Sequence, residues 1–345
     1  MKKLYTSSQR RAYIRIRQAI EQRRKQVLEK RRLNPRWAEQ EKRAVLMKRL
    51  ARIDPIYLEA PETFSFLENP DEFNDFLIQV HLALGEHKTI EVDHRKVALQ
   101  TPEALTAFLS VLADPKYKDT RQRGYIPKDP IQREMFLDSG LCEYLKLSTK
   151  GTLPRPSGNI QRRKNFKVEP RTAFDLKQFA MTRLYGTDRP YPPLYKTFIE
   201  LMANTHNHAA GTTAGKERWF ASAYCQAEHG RTSFTFVDNG VGIFKSVGET
   251  MSRMKKLAAQ IGIQNNLDFL KNLFNGKLKS STGMEHRGKG IPMIYQLALE
   301  EKIENLVVIT NDVWAKVSSG EFRRLEKEFP GTLWYWEVKR KEPII

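Results

Sequence analysis

The sequence contains few cysteines, and this excludes a fold held together by disulfides. Only Cys142 and Cys225 occur among 345 residues, and they are far apart in the chain. A chain of this length can bury ordinary hydrophobic cores without covalent bridges. Two separated cysteines also give no metal-ligand spacing. We therefore expect two inert thiols in a reducing compartment.

Long apolar runs are missing as well. No stretch of 18 consecutive apolar residues occurs, which excludes an obvious membrane-spanning helix. The amino terminus, MKKLYTSSQRRAYIRIRQAI, lacks the uninterrupted apolar core of a signal peptide. We expect a soluble, cytoplasmic protein.

Acidic residues are scarce in the first 50 positions. This segment holds 17 lysines and arginines against 4 acidic residues, so it carries +13 of the net charge of +19. Such a block attracts polyanions, nucleic acid first and an anionic membrane surface second. However, Tyr13, Ile16, Ile20 and Val27 recur at helical spacings, which fits a solvated helical arm or a coiled-coil seam of a homodimer equally well. Both interpretations stay open.

The predicted elements divide the chain into four parts. Residues 1–60 form a basic helical arm that is broken near Pro35, and residues 64–148 mix helices and short strands in a compact α/β unit. Residues 149–171 are rich in proline, glycine and basic residues and are expected to be a linker. In residues 172–345, helices, strands, a long insertion, a helix and further strands follow one another. We predict an α+β fold that ends in a sandwich, with an antiparallel or mixed sheet covered on one face by helices.

The stretch ELMANTHNHA contains a carboxylate and an amide four residues apart. Glu200 and Asn204 therefore lie on one face of a predicted helix. The carboxylate can orient or deprotonate a water molecule, and the amide oxygen can ligate a hard cation such as Mg²⁺. The same pair occurs on many solvated helices, so by itself it also fits an ordinary surface.

The stretch FTFVDNGVGI predicts an apolar strand that ends in Asp238. A strand-end carboxylate in an apolar cleft can accept a hydrogen bond from an exocyclic amine such as that of adenine. Gly240 and Gly242, which follow at once, permit a close backbone turn against a ligand.

The stretch HRGKGIPMIYQLA contains two glycines immediately before a predicted helix. Gly288 and Gly290 leave backbone N–H groups free at the helix start, with Arg287 and Lys289 beside them. This arrangement is typical of an anion site, and polyphosphate is the natural ligand.

Taken together, ELMANTHNHA, DNGVGI, RGKGI and GTLWYWEV resemble the ordered motifs of the GHKL nucleotide-binding superfamily. Its members include gyrase B subunits, ninety-kilodalton heat-shock chaperones, MutL proteins and histidine-kinase catalytic domains. The resemblance covers residues 172–340. It implies a Bergerat-type sandwich that binds ATP and Mg²⁺, with Glu200 as the catalytic carboxylate, Asn204 as the metal ligand and residues 244–287 as the ATP lid. The nucleotide-binding residues that it implies are Asn204, His208, Asp238, Gly240, Gly242, Ile243, Arg287, Gly288, Lys289, Gly290 and Thr332.

Residues 64–148 resemble a STAS-type domain along the stretch TIEVDHRKVALQTPEALTAFLSVL. Regulatory STAS proteins place a phosphorylatable serine at the turn where this chain has Thr101 and no Asp-Ser pair. The alternative role for Thr101 is a helix N-cap. We expect a scaffold role for the unit.

Three functions remain open. The first is an ATPase or ATP-gated switch whose lid closure changes dimerisation, protein-partner binding or nucleic-acid binding by residues 1–50. The second is a kinase of the histidine-kinase or anti-sigma type that acts on a separate partner, since the helix FDLKQFAMTRLYG carries no phosphoacceptor histidine. The third is a nucleic-acid-binding module with ATP as a non-hydrolysed ligand. We favour a prokaryotic ATPase or switch, because a pure sensor would not require Glu200.

Overall fold

The computed structural model divides the chain into two compact units, Met1–Asp54 and Pro55–Ile345. In the first unit, residues 18–23 and 25–29 are helical, and Ile20 is exposed. The expected break at Pro35 and the positions Tyr13 and Ile16 lie outside the described residues. The structure describes residues 18–23, 25–29, 39, 42, 45, 55–147, 157–165, 167–208, 218–246, 249–278 and 290–341, with only the backbone at 207, 208 and 249–251. None of the described helices is long and apolar enough to span a membrane.

The second unit begins with a mixed α/β layer. Its four-stranded sheet is parallel and has the order β1-β3-β5-β6, and β2 pairs with β4 in a separate parallel pair. In α1 the apolar residues Phe73, Leu77, Val80 and Leu84 recur at helical spacing and are fully buried. The elements are β1 Ile56–Glu59, β2 Thr63–Phe64, α1 Pro70–Gly85, β3 Ile90–Asp93, β4 Leu99–Gln100, α2 Pro102–Leu112, β5 Gln122–Tyr125, α3 Pro130–Asp138 and β6 Lys146–Leu147.

Thr101 stands at the N-cap position of α2, but its side chain does not cap the helix. The Thr101 hydroxyl instead donates to Glu103 Oε1 and lies 3.4 Å from the carbonyl oxygen of Phe64. Pro102 supplies the first turn, where a missing N–H costs nothing.

A five-stranded sheet with the order β10-β11-β9-β8-β7 forms the centre of the rest of the unit. All four pairings are antiparallel, whereas a mixed sheet was one expectation. Short turns at 227–229 and 317–319 join β8 to β9 and β10 to β11, which forces antiparallel neighbours. The elements are β7 Ile160–Asn165, α4 Pro170–Tyr185, α5 Pro192–His208, β8 Trp219–Gln226, β9 Arg231–Asp238, α6 Glu249–Gln260, α7 Asn266–Phe274, α8 Gly290–Leu299, β10 Glu304–Lys316 and β11 Glu321–Lys339.

The segment expected to be a linker, 149–171, contains strand β7. Residues 160–165 read IQRRKN and show no apolar alternation, yet they pair with β8 along their whole length. An edge strand is held by backbone hydrogen bonds on one side and tolerates charged side chains, so composition alone does not reveal it. Arg163 and Lys164 contact Asp175 and Tyr144 from this edge.

Both faces of the five-stranded sheet are buried, although only one face was expected to be covered. Phe236 and Trp336 pack in one core with Phe198 of α5, on the face that α4 and α5 cover. Their strand neighbours Val237 and Tyr335 point the other way and pack in a second core with α1 and α2. Consecutive apolar residues in SFTFVD and TLWYWEV are typical of a strand buried on both sides. The α/β layer and the antiparallel sheet therefore belong to one compact unit.

Candidate functional site

Helix α5 brings Glu200 and Asn204 to the edge of the core. Leu194, Phe198 and Leu201 on its inner face are fully buried, while Glu200 and Asn204 are half-buried. The Nδ2 atom of Asn204 is buried and finds no hydrogen-bond partner among the described residues. An unsatisfied buried amide on a pocket wall is costly, and it indicates a place for a polar ligand.

Asp238 ends β9 and lies opposite Thr332 in the register of β11. Its Oδ1 atom accepts a hydrogen bond of 2.9 Å from the N–H of Gly240, so the turn fixes the direction of the carboxylate. A Cβ at Gly240 would lie 2.8 Å from the same oxygen, so a side chain here would displace the carboxylate. Gly331, next to Thr332, has a φ of 132° and packs against the carbonyl oxygen of Asp238. The strand end is therefore shaped on both sides by glycine.

Two residues of β10 hold the loop that follows Asp238, and the motif analysis missed them. The Thr310 hydroxyl accepts from the N–H of Ile243 at 2.9 Å. Asn311 Nδ2 donates to the carbonyl oxygen of Val241 at 2.9 Å, and its Oδ1 accepts from the N–H of Phe244 at 3.2 Å. Asn311 is buried and has a φ of 50°, a conformation that asparagine tolerates better than most residues. The sequence signal is a run of three polar residues, Thr310, Asn311 and Asp312, inside the otherwise apolar stretch LVVITNDVWA.

Gly242 shows why the loop can lie so close to β10. It has a φ of 79°, and a Cβ there would overlap the side-chain amide of Asn311. Both the backbone angle and the close approach require glycine.

Helix α8 begins at Gly290, next to Glu200. A Cβ at Gly290 would overlap Glu200 Oε2, so the absence of a side chain lets the helix start reach the carboxylate. The first residue after it, Ile291, lines the pocket described next. A carboxylate and a helix start are thereby brought together from stretches 90 residues apart in the sequence.

An open pocket lies between α5, the Asp238 loop and β11. Its empty space is about 630 Å³ including the solvent-filled mouth. Six of the residues implied by the sequence resemblance line it: Asn204, Asp238, Gly240, Gly242, Ile243 and Thr332. The apolar residues that share the lining were not anticipated: Leu201, Phe236, Val241, Ile291 and Trp334.

The other predicted site residues do not line the pocket or are not fully described. Glu200 does not line the pocket, but it lies against Gly290, whose neighbour Ile291 does. Arg287, Gly288 and Lys289 lie outside the described residues, and His208 is described by its backbone alone. Their roles stay predictions.

The segment expected to be an ATP lid, 244–287, is described over 244–246 and 249–278. It contains α6 and α7. The ring of Phe274 stacks on Tyr295 of α8 with 5.3 Å between centroids, and Asn266 Nδ2 donates to Asp312 Oδ1 at 2.6 Å. Burial by itself raises the pKa of Asp312, but the hydrogen bonds from Asn266 and Arg324 outweigh it and lower the pKa. The described part of the segment is therefore anchored to the core at an ionised carboxylate and a stacked ring.

The described residues contain no group of three or more His, Cys, Asp and Glu side chains that could hold a metal ion. A Mg²⁺ ion that is bound together with phosphates needs only one or two protein ligands, so this pocket does not require such a group. No protein-family model matches the chain, and no curated protein matches it.

Proposed function

We propose that the chain is a GHKL-type protein that binds ATP with Mg²⁺ and hydrolyses it, and that this reaction gates the binding of a partner. One observation carries the proposal: stretches that are far apart in the sequence contribute the expected residue types to a single pocket. Asn204, Asp238 and Thr332 line that pocket. Glu200 lies against Gly290, the residue before the lining residue Ile291.

The side of the pocket formed by Asp238 suits a planar base with an exocyclic amine. The Asp238 carboxylate is oriented by Gly240 before any ligand arrives, so little is lost on ordering it when the amine donates. Phe236 and Trp334 supply apolar surface beside it. The proposed ligand is therefore adenine, with Thr332 next to the same carboxylate.

The side of the pocket formed by Asn204 suits phosphate and a hard cation. Asn204 would hold Mg²⁺ through its amide oxygen, while its buried Nδ2, which has no partner among the described residues, would donate to a phosphate oxygen. The bound ion would neutralise the phosphate charge. Glu200 would orient and deprotonate the attacking water, and the N–H groups at the start of α8 would face the phosphates.

We also propose that residues 1–50 bind the partner. Their charge of +13 favours nucleic acid, and closure of residues 244–287 over ATP would alter the binding of that partner. A homodimer formed through the same helix is the alternative that sequence alone leaves open.

To test the proposal, wild type and Glu200→Ala are incubated with γ-labelled ATP and Mg²⁺, with and without nucleic acid. Free phosphate and protein-bound label are measured together, and ADP binding is measured separately. Removal of a general base is expected to slow phosphate release by about 100-fold or more, while ADP still binds. The control is Glu228→Ala, at an exposed turn residue at the opposite end of β9 from Asp238.

Each outcome assigns a function. Phosphate release that needs Glu200 and Mg²⁺ supports the ATPase, and its stimulation by nucleic acid supports the partner. Label transferred to protein would replace the ATPase with a kinase. Tight ADP binding without either signal would leave a non-hydrolysing sensor, and hydrolysis that survives in Glu200→Ala would refute the role of this carboxylate.

A further inference from the structure

The candidate pocket is tied to the α/β layer through helix α2. This helix packs against β8 and β9, and all its residues from Glu103 to Leu112 are buried. It is thus enclosed between its own layer and the antiparallel sheet. Any change in the position of α2 must also move the strands that it covers, because a packed interior has little free space.

A side chain of the pocket loop caps the carboxyl-terminal end of α2. Carbonyl groups in the last turn of a helix lack intrahelical partners. The N–H of Asp114, which would reach Ser110 in a continued helix, donates to the carbonyl oxygen of Val111 instead. The Ser110 carbonyl accepts a hydrogen bond of 3.0 Å from the side-chain amide of Asn239.

Asn239 occupies a special place in the pocket turn. It follows Asp238 directly and precedes Gly240, whose N–H orients the Asp238 carboxylate. Its own N–H donates to the carbonyl oxygen of Arg218 at 3.1 Å, so the backbone is held from one side and the side chain from the other. The turn that positions Asp238 is therefore fastened to α2.

We infer that Asn239 is a positioning residue through which the seating of α2 sets the affinity of the pocket for adenine nucleotides. The inference rests on the proposed function and assigns the α/β layer a regulatory role. Coupling between two sites is reciprocal, so a nucleotide in the pocket must also stabilise α2. A ligand or protein that displaces α2 would weaken nucleotide binding by the same factor.

A second contact keeps α2 in place when Asn239 is changed. The hydroxyls of Thr106 on α2 and Ser222 on β8 are buried and lie 2.7 Å apart. Loss of the Asn239 amide therefore leaves the helix seated while its link to the turn is removed. This separates the proposed role from a general loss of folding.

The experiment uses the full chain and ADP as the probe. Asn239→Ala removes the donor, and Asn239→Asp keeps the size but replaces the donor with an acceptor. The matched control is Asn74→Ala, because the Asn74 amide also crosses the two layers to a backbone carbonyl, that of Lys327, at 2.7 Å. Neither Asn74 nor Lys327 lines the pocket.

Loss of one hydrogen bond of this kind is expected to weaken ADP binding and raise KM for ATP by about tenfold in both Asn239 variants. The kcat value is expected to stay close to wild type, because Glu200 and Asn204 lie on another element. Hydrogen exchange of the α2 amides should slow when ADP binds to wild type and to Asn74→Ala, but not to Asn239→Ala.

Four results would count against the inference. If ADP binds to wild type without slowing exchange in α2, the coupling is refuted, whatever the variants do. If Asn239→Asp binds ADP as wild type does, the donated hydrogen bond has no positioning role. If Asn74→Ala and Asn239→Ala weaken ADP binding equally, the effect is one of general stability. Wild type that binds no ADP would refute the proposed function itself, and the inference with it.

Discussion

Glu103 in the first turn of α2 makes the stability of the protein depend on pH, and replacing it with glutamine should remove that dependence. The side chain is fully buried. Its Oε1 accepts from Ser65 Oγ at 3.1 Å and from Thr101, while Oε2 has no partner among the described residues. Burial raises the pKa of Glu103 to about 7, against the opposing effect of these hydrogen bonds.

The sign and size of the effect follow from this pKa. In the unfolded chain the carboxyl ionises near pH 4.5, whereas in the folded protein it keeps its proton to about pH 7. The folded state therefore binds more protons between these values, and the free energy of unfolding falls as pH rises through them. One pKa unit corresponds to about 1.4 kcal/mol, so ionised Glu103 costs about 3 kcal/mol above pH 7.

Glu103→Gln keeps the acceptor for Ser65 and Thr101 but cannot ionise. We expect the variant to be about 3 kcal/mol more stable than wild type at pH 8 and within about 1 kcal/mol of it at pH 5. Urea unfolding between pH 5 and pH 8, followed by tryptophan fluorescence, measures this difference. The comparison with wild type cancels the opposite contribution of His94, whose pKa is lowered to about 4 by burial.

The control and the refuting result are both well defined. Glu86→Gln, at an exposed residue paired with Lys88, should change the curve little at either pH. A Glu103→Gln protein whose advantage over wild type is the same at pH 5 and pH 8 would contradict the assignment of the raised pKa to this buried carboxyl.

Two further substitutions test the geometry of the pocket. Gly290→Ala should lower ATP hydrolysis by about tenfold or more, because the new Cβ overlaps Glu200. The control Gly85→Ala, which has open space around the new Cβ, should leave hydrolysis unchanged. A phosphate-release assay compares the two variants. Asn311→Ala should destabilise the protein by about 2 kcal/mol and weaken ADP binding, since both loop hydrogen bonds and a side chain suited to the left-handed backbone are lost. The control is Asn305→Ala, because Asn305 has a similar positive φ on the same strand but bonds to Glu337 away from the pocket. Equal ADP affinities of the two asparagine variants in calorimetry would contradict the role of Asn311.

Local sequence patterns predicted much of the fold correctly. The proline pair and the apolar period that follows it predict a helix, and the structure has one at Pro192–His208. The stretches RWFASAYCQAE and TSFTFVDN on either side of the turn HGR predict two strands, which the structure shows as β8 and β9. Both signals lie within a single element, so no tertiary information is needed to detect them.

Features that depend on distant contacts were missed. The stretches NLVVIT and DVWAKV predict two strands, yet β10 runs through both, because Asn311 adopts a left-handed conformation and shifts the register without ending the strand. Strand β7 is recognisable only from its partner β8. Neither outcome is visible in the composition of the segment itself.

The candidate site shows the same division. Asn204, Asp238 and Thr332 were singled out from motifs, and the structure brings them to one pocket. Thr310 and Asn311 hold the loop of that pocket from about 70 residues away, and their polarity within an apolar strand was the only indication. The tie between Asn239 and Ser110 spans 129 residues and leaves no local trace.

The antiparallel sheet with two buried faces also bears on how this protein can be divided or recombined. If the chain were cut before β7, Val237, Leu333 and Tyr335 would face water instead of the α/β layer. A fragment that carried the pocket alone would present an apolar surface prone to aggregation. Neither the α/β layer nor the part of the chain that carries the pocket is thus an interchangeable module. A substitution on one of these two parts has to be accommodated by residues of the other.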